Sequence, residues 1–203
     1  MRRPDSRLLQ IGDQGLALLA KPFIRLGVPP NAISISGAVL SLIGAGFLAY
    51  GYRWTAVAIA LAGSLLDNVD GRVARASGKV TAWGAFLDST LDRITETVLA
   101  LAILSYLKTQ GLFSFALALW VIAGVGLSQL VSYLRARTES LGGHGKMGLL
   151  QRQHRGILIL FGLLLGPEVL YGVVVTITVL SGVTAIQRMI NCHHELEKNP
   201  HGP

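Results

Sequence analysis

The sequence predicts an all-α integral-membrane protein: six transmembrane helices preceded by an amphipathic helix lying at the membrane surface. Three observations predict it. The 203-residue chain is 51% hydrophobic and only 14% charged, too apolar for a typical water-soluble domain of that length. Three charge-free runs, Asn31–Tyr50, Leu112–Leu134 and Val169–Gln187, each reach the roughly 20 residues a helix needs to cross a hydrocarbon core about 30 Å thick. Basic loop residues are also asymmetric. Arg53 and Lys108 fall on one side, while Arg2, Arg3, Arg7, Lys21, Arg25, Arg72, Arg75, Lys79, Arg135, Arg137, Lys146, Arg152, Arg155, Arg188 and Lys198 collect on the other. Positive charge is retained in the cytoplasm, so both termini and any polar cavity are expected on that side of a multi-pass plasma-membrane protein.

In chain order, Arg7–Leu26 mixes Leu8, Leu9, Ile11, Leu16, Leu18, Leu19, Phe23 and Ile24 with Arg7, Asp13, Lys21 and Arg25, the pattern of a helix lying on a membrane face. Pro29, Pro30 and Asn31 end it and open the first span, since proline is tolerated at a helix start and disfavoured inside. Three further apolar stretches are too short unless they take in charged neighbours. Extended to Trp54–Ala76, Thr81–Leu107 and Leu149–Gly166, they complete the bundle, and their charges must face a polar cavity rather than lipid. Ser77, Gly78 and Lys79 make a tight join between spans two and three. Gly142, Gly143, Gly145 and Gly148 make the join between spans four and five flexible. The chain is thus divided into a cytoplasmic segment with its juxtamembrane helix (1–30), a six-helix membrane domain (31–191) and a cytoplasmic tail (192–203).

The net charge of +7 suits anionic lipid headgroups and phosphorylated substrates. No basic run interleaved with aromatics points to nucleic acid. The N-terminus lacks an apolar run followed by a small-residue cleavage site, so no removable signal peptide is expected. Cys192 is the sole cysteine, which excludes an internal disulfide and a cysteine metal cluster. His193, His194 and His201, among Glu195, Glu197 and Lys198, read as a solvated end.

The chemistry lies in four aspartates. Asp67 and Asp70 are spaced i,i+3, and Asp88 and Asp92 are spaced i,i+4, so each pair shares one helix face. Both pairs lie at similar distances from a turn at Gly78, so antiparallel packing brings them to similar depth. Four carboxylates at one intramembrane point repel unless cations or protons neutralise them. All-oxygen donors favour hard ions, Mg2+ above all with Mn2+ as a substitute. Four acids suffice for two ions sharing ligands around a pyrophosphate. Gly71 and Gly84 remove side chains where helices or a nucleotide approach closely.

Asp67, Asp70, Gly71, Ala74, Arg75, Gly84, Asp88 and Asp92 reproduce D-x2-D-G-x2-A-R-x8-G-x3-D-x3-D, and the chain resembles the CDP-alcohol phosphotransferases. The resemblance implies that family's fold, a six-helix and usually homodimeric membrane enzyme, in which two divalent ions hold the pyrophosphate of a CDP-linked donor. It implies Asp67, Asp70, Asp88 and Asp92 as metal ligands and Asp92 also as the general base that deprotonates the acceptor hydroxyl, with CMP leaving. Pro30, Asn31 and Ser34, the last in place of a more usual Thr, resemble the family's motif opening the first span. With Asp67, Asp70, Gly71, Ala74 and Arg75 they are expected to contact the CDP donor.

Arginines set the choice of acceptor. Arg135 and Arg137 close span four, Arg152 and Arg155 open span five, and Arg188 ends span six; guanidinium groups bind phosphate bidentately. The segments Ser132–Glu139 and Arg152–Arg155, with Gln187 and Arg188, are similar to the phosphatidylinositol-phosphate synthase branch of actinobacteria and its archaeal counterparts. That similarity implies phospholipid biosynthesis: transfer of a phosphatidyl or archaetidyl group from CDP-diacylglycerol, or its archaeal ether equivalent, to inositol 1-phosphate. Arg137, Arg155 and Arg188 would hold the acceptor phosphate, supported by Arg135 and Arg152. Glycerol 3-phosphate, the acceptor of a phosphatidylglycerophosphate synthase, is the nearest alternative. A cation- or proton-coupled transporter also places carboxylates in a bundle, but needs no such motif.

Overall fold

The structure, a computed structural model, describes residues 6–143, 150 and 152–198, with side chains from 15 onward except at 152 and 198. The side chain of Arg152, the glycines Gly145 and Gly148, and His201 therefore lie outside the described residues. Among the described residues helices are the regular elements: α1 Ser6–Arg25, α2 Pro30–Ala49, α3 Arg53–Ala76, α4 Ala82–Thr109, α5 Phe115–Ser140, α6 Arg152–Leu165 and α7 Pro167–Lys198. Each helix expected from the sequence has a counterpart. Among the described residues α2, α5 and α7 are long and apolar enough to cross a membrane, and α6 carries a shorter apolar stretch, Gln153–Leu165. Their outward faces are apolar: Ile35, Val39, Ile43 and Phe47 on α2, Ile122 and Leu130 on α5, and Val179, Val183 and Ile186 on α7 are exposed. In a water-soluble protein such stripes would be covered; here they fit a lipid surround.

The chain forms two units. The first holds α1, α2, α3 and α4 as far as Leu99; the second holds the rest of α4, the Ala49–Gly51 turn and α5 to α7. In the first unit Leu16, Ala20 and Phe23, one stripe of α1, pack on Leu66, Val69 and Val73 of α3 with Ile33 and Val28. The spacings i,i+4,i+7 and i,i+3,i+7 are those of helix faces meeting side by side. Packing of α2 on α3 relies on small residues. A Cβ at Gly37 would stand 3.1 Å from the Gly63 carbonyl oxygen and 3.4 Å from the Asp67 nitrogen, and one at Gly63 would stand 3.0 Å from the Gly37 carbonyl oxygen. Backbone thus touches backbone, which fixes the turn of α3 that carries Asp67.

The tight join to α4 works as the sequence suggests. Gly78 takes φ +65°, a conformation that costs glycine little. Lys79 N then bonds to the Ala74 carbonyl oxygen at 2.9 Å and Gly78 N to that of Arg75 at 3.3 Å, the paired bonds that close a helix C-terminus. Thr81 caps α4, its Oγ1 accepting from Gly84 N at 3.0 Å.

In the second unit α5 and α7 run parallel, as their contacts advance together along both helices. Thr178 Oγ1 donates to the Trp120 carbonyl oxygen at 3.0 Å, Arg188 Nη1 to that of Val131 at 2.6 Å, and Thr138 Oγ1 to Cys192 Sγ at 3.2 Å. The hairpin at Gly166 folds α6 onto α7, where a Cβ at Gly162 would stand 3.0 Å from the Leu170 Cα. α7 stays helical past Arg188 to Lys198, with His193, His194 and Glu197 exposed on its last turns.

Candidate metal centre and arginine cluster

α3 and α4 bring three of the four predicted aspartates to one point. Asp67, Asp88 and Asp92, all half-buried, each offer a carboxylate oxygen, and these oxygens lie within 4.8 Å of one another. Two ionised carboxylates at that separation repel by about 3 kcal/mol at an effective dielectric of about 20, and three such pairs are present. Three oxygen donors and strong mutual repulsion fit a hard divalent cation, which removes the repulsion and accepts carboxylate oxygens as ligands. Half-burial leaves room for further ligands from water or phosphate.

Asp70, one helical turn after Asp67, is buried and held differently. Its carboxylate accepts hydrogen bonds from the Ser34 hydroxyl and from the backbone N–H of Gly71. Ser34, expected as a nucleotide contact, is buried and donates to this acid of the motif, and a hydrogen bond of this kind fixes the orientation of a carboxylate. Pro30 and Asn31, both half-buried, open α2. A Cβ at Gly84 would meet the Asn31 side-chain oxygen at 3.1 Å, so the close approach expected at Gly84 is made by α2. The Arg75 guanidinium lies over Gly71, its nearest nitrogen 3.4 Å from where a Cβ would stand. Arg75 is exposed and Ala74 half-buried.

Sequence reasoning left two charges in this stretch unassigned. Arg93 donates from Nη1 to the Ser89 carbonyl oxygen at 2.6 Å, and Glu96 lies one turn beyond Asp92; both are half-buried. The signal was available, because a charge inside an apolar helix marks a polar interior.

Of the five arginines expected to bind a phosphate, the second unit buries Arg155 and Arg188. Arg155 and Arg135 lie within electrostatic reach of Arg188, as does Glu139. Arg188 also anchors α7 to α5 through the Val131 carbonyl oxygen. Arg135 pairs with Glu139 at 2.9 Å on the exposed surface of α5, a contact that contributes little stability. Arg137 is exposed. Arg135 lies one turn beyond Val131, at the edge of the face that meets α7 through Val131 and Thr138, whereas Arg137 is rotated about 200° from Arg135. Arg152 opens α6, one turn before Arg155.

Three comparisons bear on this geometry. Residues 28–186 match the family model for CDP-alcohol phosphatidyltransferases. The archaetidylinositol phosphate synthase of Methanothermobacter thermautotrophicus is 35% identical over 170 residues, covering 82% of this chain and 84% of the relative. The crystal structure of Mycobacterium tuberculosis phosphatidylinositol phosphate synthase with CDP-DAG bound superposes with a TM-score of 0.79 at 27% identity, covering 87% of this chain and 92% of that one. A second structure of that enzyme, in complex with manganese and citrate, gives the same TM-score of 0.79 over 87% of this chain and 88% of the other. The motif aspartates, their convergence in space and a family match spanning most of the chain lead to one assignment: the chain belongs to the CDP-alcohol phosphatidyltransferase family.

Proposed function

We propose that this transferase moves a phosphatidyl or archaetidyl group from a CDP-linked lipid to inositol 1-phosphate and releases CMP. The observation that carries the reading is the convergence of Asp67, Asp88 and Asp92 on the two helices that hold the motif. The buried arginines Arg155 and Arg188 support a phosphorylated acceptor, because guanidinium groups bind phosphate bidentately. The names of the M. thermautotrophicus relative and the M. tuberculosis structure support inositol phosphate over glycerol 3-phosphate.

In this reading Asp67, Asp70, Asp88 and Asp92 hold two Mg2+ ions, which Mn2+ can replace. Bound divalent metal neutralises the donor pyrophosphate and makes CMP a better leaving group. Pro30, Asn31, Ser34, Gly71, Ala74 and Arg75 receive the CDP end of the donor, with Gly71 leaving space for it and Arg75 contributing positive charge. Asp92 takes the proton of the acceptor hydroxyl as its oxygen attacks the phosphorus that bears the lipid. The new P–O bond forms as the bond to the CMP oxygen breaks. Arg137, Arg155 and Arg188 hold the acceptor phosphate, with Arg135 and Arg152 beside them.

We further propose that α2 to α7 are six spans of one catalytic domain (31–191), with α3 and α4 crossing despite their charges because those charges line the site. Residues 1–30 form the segment of the juxtamembrane helix, whose exposed Leu18, Leu19, Ile24 and Leu26 suit a bilayer surface, and 192–203 the tail. The basic asymmetry of the loops supports a site and both termini on the cytoplasmic side, and the family resemblance implies a homodimer.

The test supplies purified protein with CDP-diacylglycerol and Mg2+, and measures CMP release with inositol 1-phosphate, glycerol 3-phosphate, free inositol or serine. Inositol 1-phosphate is expected to give the highest kcat/KM, by about a hundredfold over free inositol, since that is the order of effect of a fully desolvated charged contact. A preference for free inositol or serine would remove the acceptor assignment and leave the donor chemistry intact.

A further inference from the structure

Arg155 and Arg188 pose a physical problem. Both are buried, they come from different helices, and they lie within electrostatic reach of each other. Like charges in a low-dielectric interior push apart, and Glu139 stands within reach of Arg188 as a counter-charge, so the spacing of the two guanidinium groups depends on how α6 is held against α7. One contact stands at the right place to hold it. Thr184, fully buried, accepts a hydrogen bond at Oγ1 from the backbone N–H of Leu150 at 3.1 Å and donates its own proton to the Leu180 carbonyl oxygen at 2.7 Å. Both capacities of the hydroxyl are used, which is what makes its burial tolerable.

The placement of this contact gives it a role. Leu150, itself buried, stands two residues before α6 begins at Arg152, and its N–H has no place in the helical ladder. A buried backbone donor without a partner is costly, so the Thr184 oxygen fixes where the chain enters α6. Arg155 follows within the first turn or so of that helix. On α7, Arg188 follows Thr184 by four residues, on the same face and about 6 Å further along the axis. The contact therefore sits close in sequence to both guanidinium groups. The opposite flank is tied as well, by Thr138 Oγ1 to Cys192 Sγ and by Arg188 Nη1 to the Val131 carbonyl oxygen. Those bonds join α5 to α7; the Thr184 bond brings in α6.

We propose that Thr184 is a positioning residue for the acceptor phosphate: its hydroxyl pins the start of α6 to α7 and holds Arg155 in binding register with Arg188. The proposal rests on the reading that these arginines bind the acceptor. Thr184→Val keeps the side-chain shape and deletes the hydroxyl, whereas Thr184→Ser keeps the hydroxyl. Loss of one buried hydrogen bond corresponds to about a tenfold change in an equilibrium.

The experiment measures KM for inositol 1-phosphate, KM for CDP-diacylglycerol and kcat in the purified full chain, for wild type, Thr184→Val, Thr184→Ser and Arg155→Ala. Thr184→Val is expected to raise acceptor KM about tenfold, with donor KM and kcat within about twofold of wild type, and Thr184→Ser to restore acceptor KM. Thr184→Ala serves with the same expectation if the valine variant does not fold. Unchanged acceptor KM in Thr184→Val, alongside a raised one in Arg155→Ala, would overturn the positioning role and leave the acceptor reading standing. Equal losses in donor and acceptor parameters would reduce Thr184 to a purely structural residue. An Arg155→Ala enzyme with unchanged acceptor KM would remove the acceptor reading and, with it, this inference.

Discussion

Asp92→Asn is expected to lower turnover by about a thousandfold or more, the range for loss of a positioned general base, while the protein still folds and inserts. Asparagine matches aspartate in size and keeps a hydrogen-bonding end, so the packing of α4 has no reason to change. What it lacks is charge and basicity. Asp92 shares its oxygen cluster with Asp67 and Asp88, so the exchange also weakens a cation's hold on the site. Comparing Asp92→Asn with Asp67→Asn across a metal titration separates the two losses. Saturating Mg2+ or Mn2+ should recover part of the activity of Asp67→Asn and far less of that of Asp92→Asn. Equal recovery of both would demote Asp92 to a ligand, and near-normal turnover in Asp92→Asn would defeat the assignment altogether.

Arg155→Ala is expected to raise KM for the phosphorylated acceptor on the order of a hundredfold, the cost of deleting one partner from a desolvated charged contact. KM for the CDP-linked donor should move by less than about threefold. The asymmetry matters more than the size. Arg155 is buried near Arg188 in the second unit, whereas the motif acids belong to the first. Proportional losses toward both substrates would mean that Arg155 supports the fold rather than the acceptor. Exposed Arg137 gives a contrast: if its guanidinium reaches the phosphate only when substrate is bound, Arg137→Ala should show the same split with a smaller amplitude.

These expectations draw unequally on sequence and structure. The helices were legible because charge-free runs and Gly or Pro breaks mark their ends: α2 starts at Pro30 and α3 closes before Gly78, both as read from the chain. Hydropathy located the apolar centres of α5 and α7 but underestimated their lengths. Their last turns are polar and continue to Ser140 and Lys198, held by helical hydrogen bonds that need no apolar run. The aspartate motif was legible because i,i+3 and i,i+4 spacings fix a helix face. Its division of labour was not. Only coordinates reveal that Asp67 joins Asp88 and Asp92 while Asp70 is held by Ser34 from another helix.

The arginines were harder to read. Their sequence positions at helix ends are equally those of membrane anchors, and burial is what separates Arg155 and Arg188 from Arg137. Thr184 carried no signal at all, since a threonine in an apolar helix looks like any other until its partner at Leu150 is known.

The central claim is that the aspartate cluster makes this chain a metal-dependent transferase acting on a CDP-linked lipid. Its most direct test strips the purified protein with chelator, supplies CDP-diacylglycerol and inositol 1-phosphate, and follows CMP and the phosphorylated lipid product as Mg2+ or Mn2+ is restored. The account predicts no CMP in chelator, and equimolar CMP and lipid product once either metal is added. CMP release at the same rate with and without metal, or none under any metal condition, would contradict it.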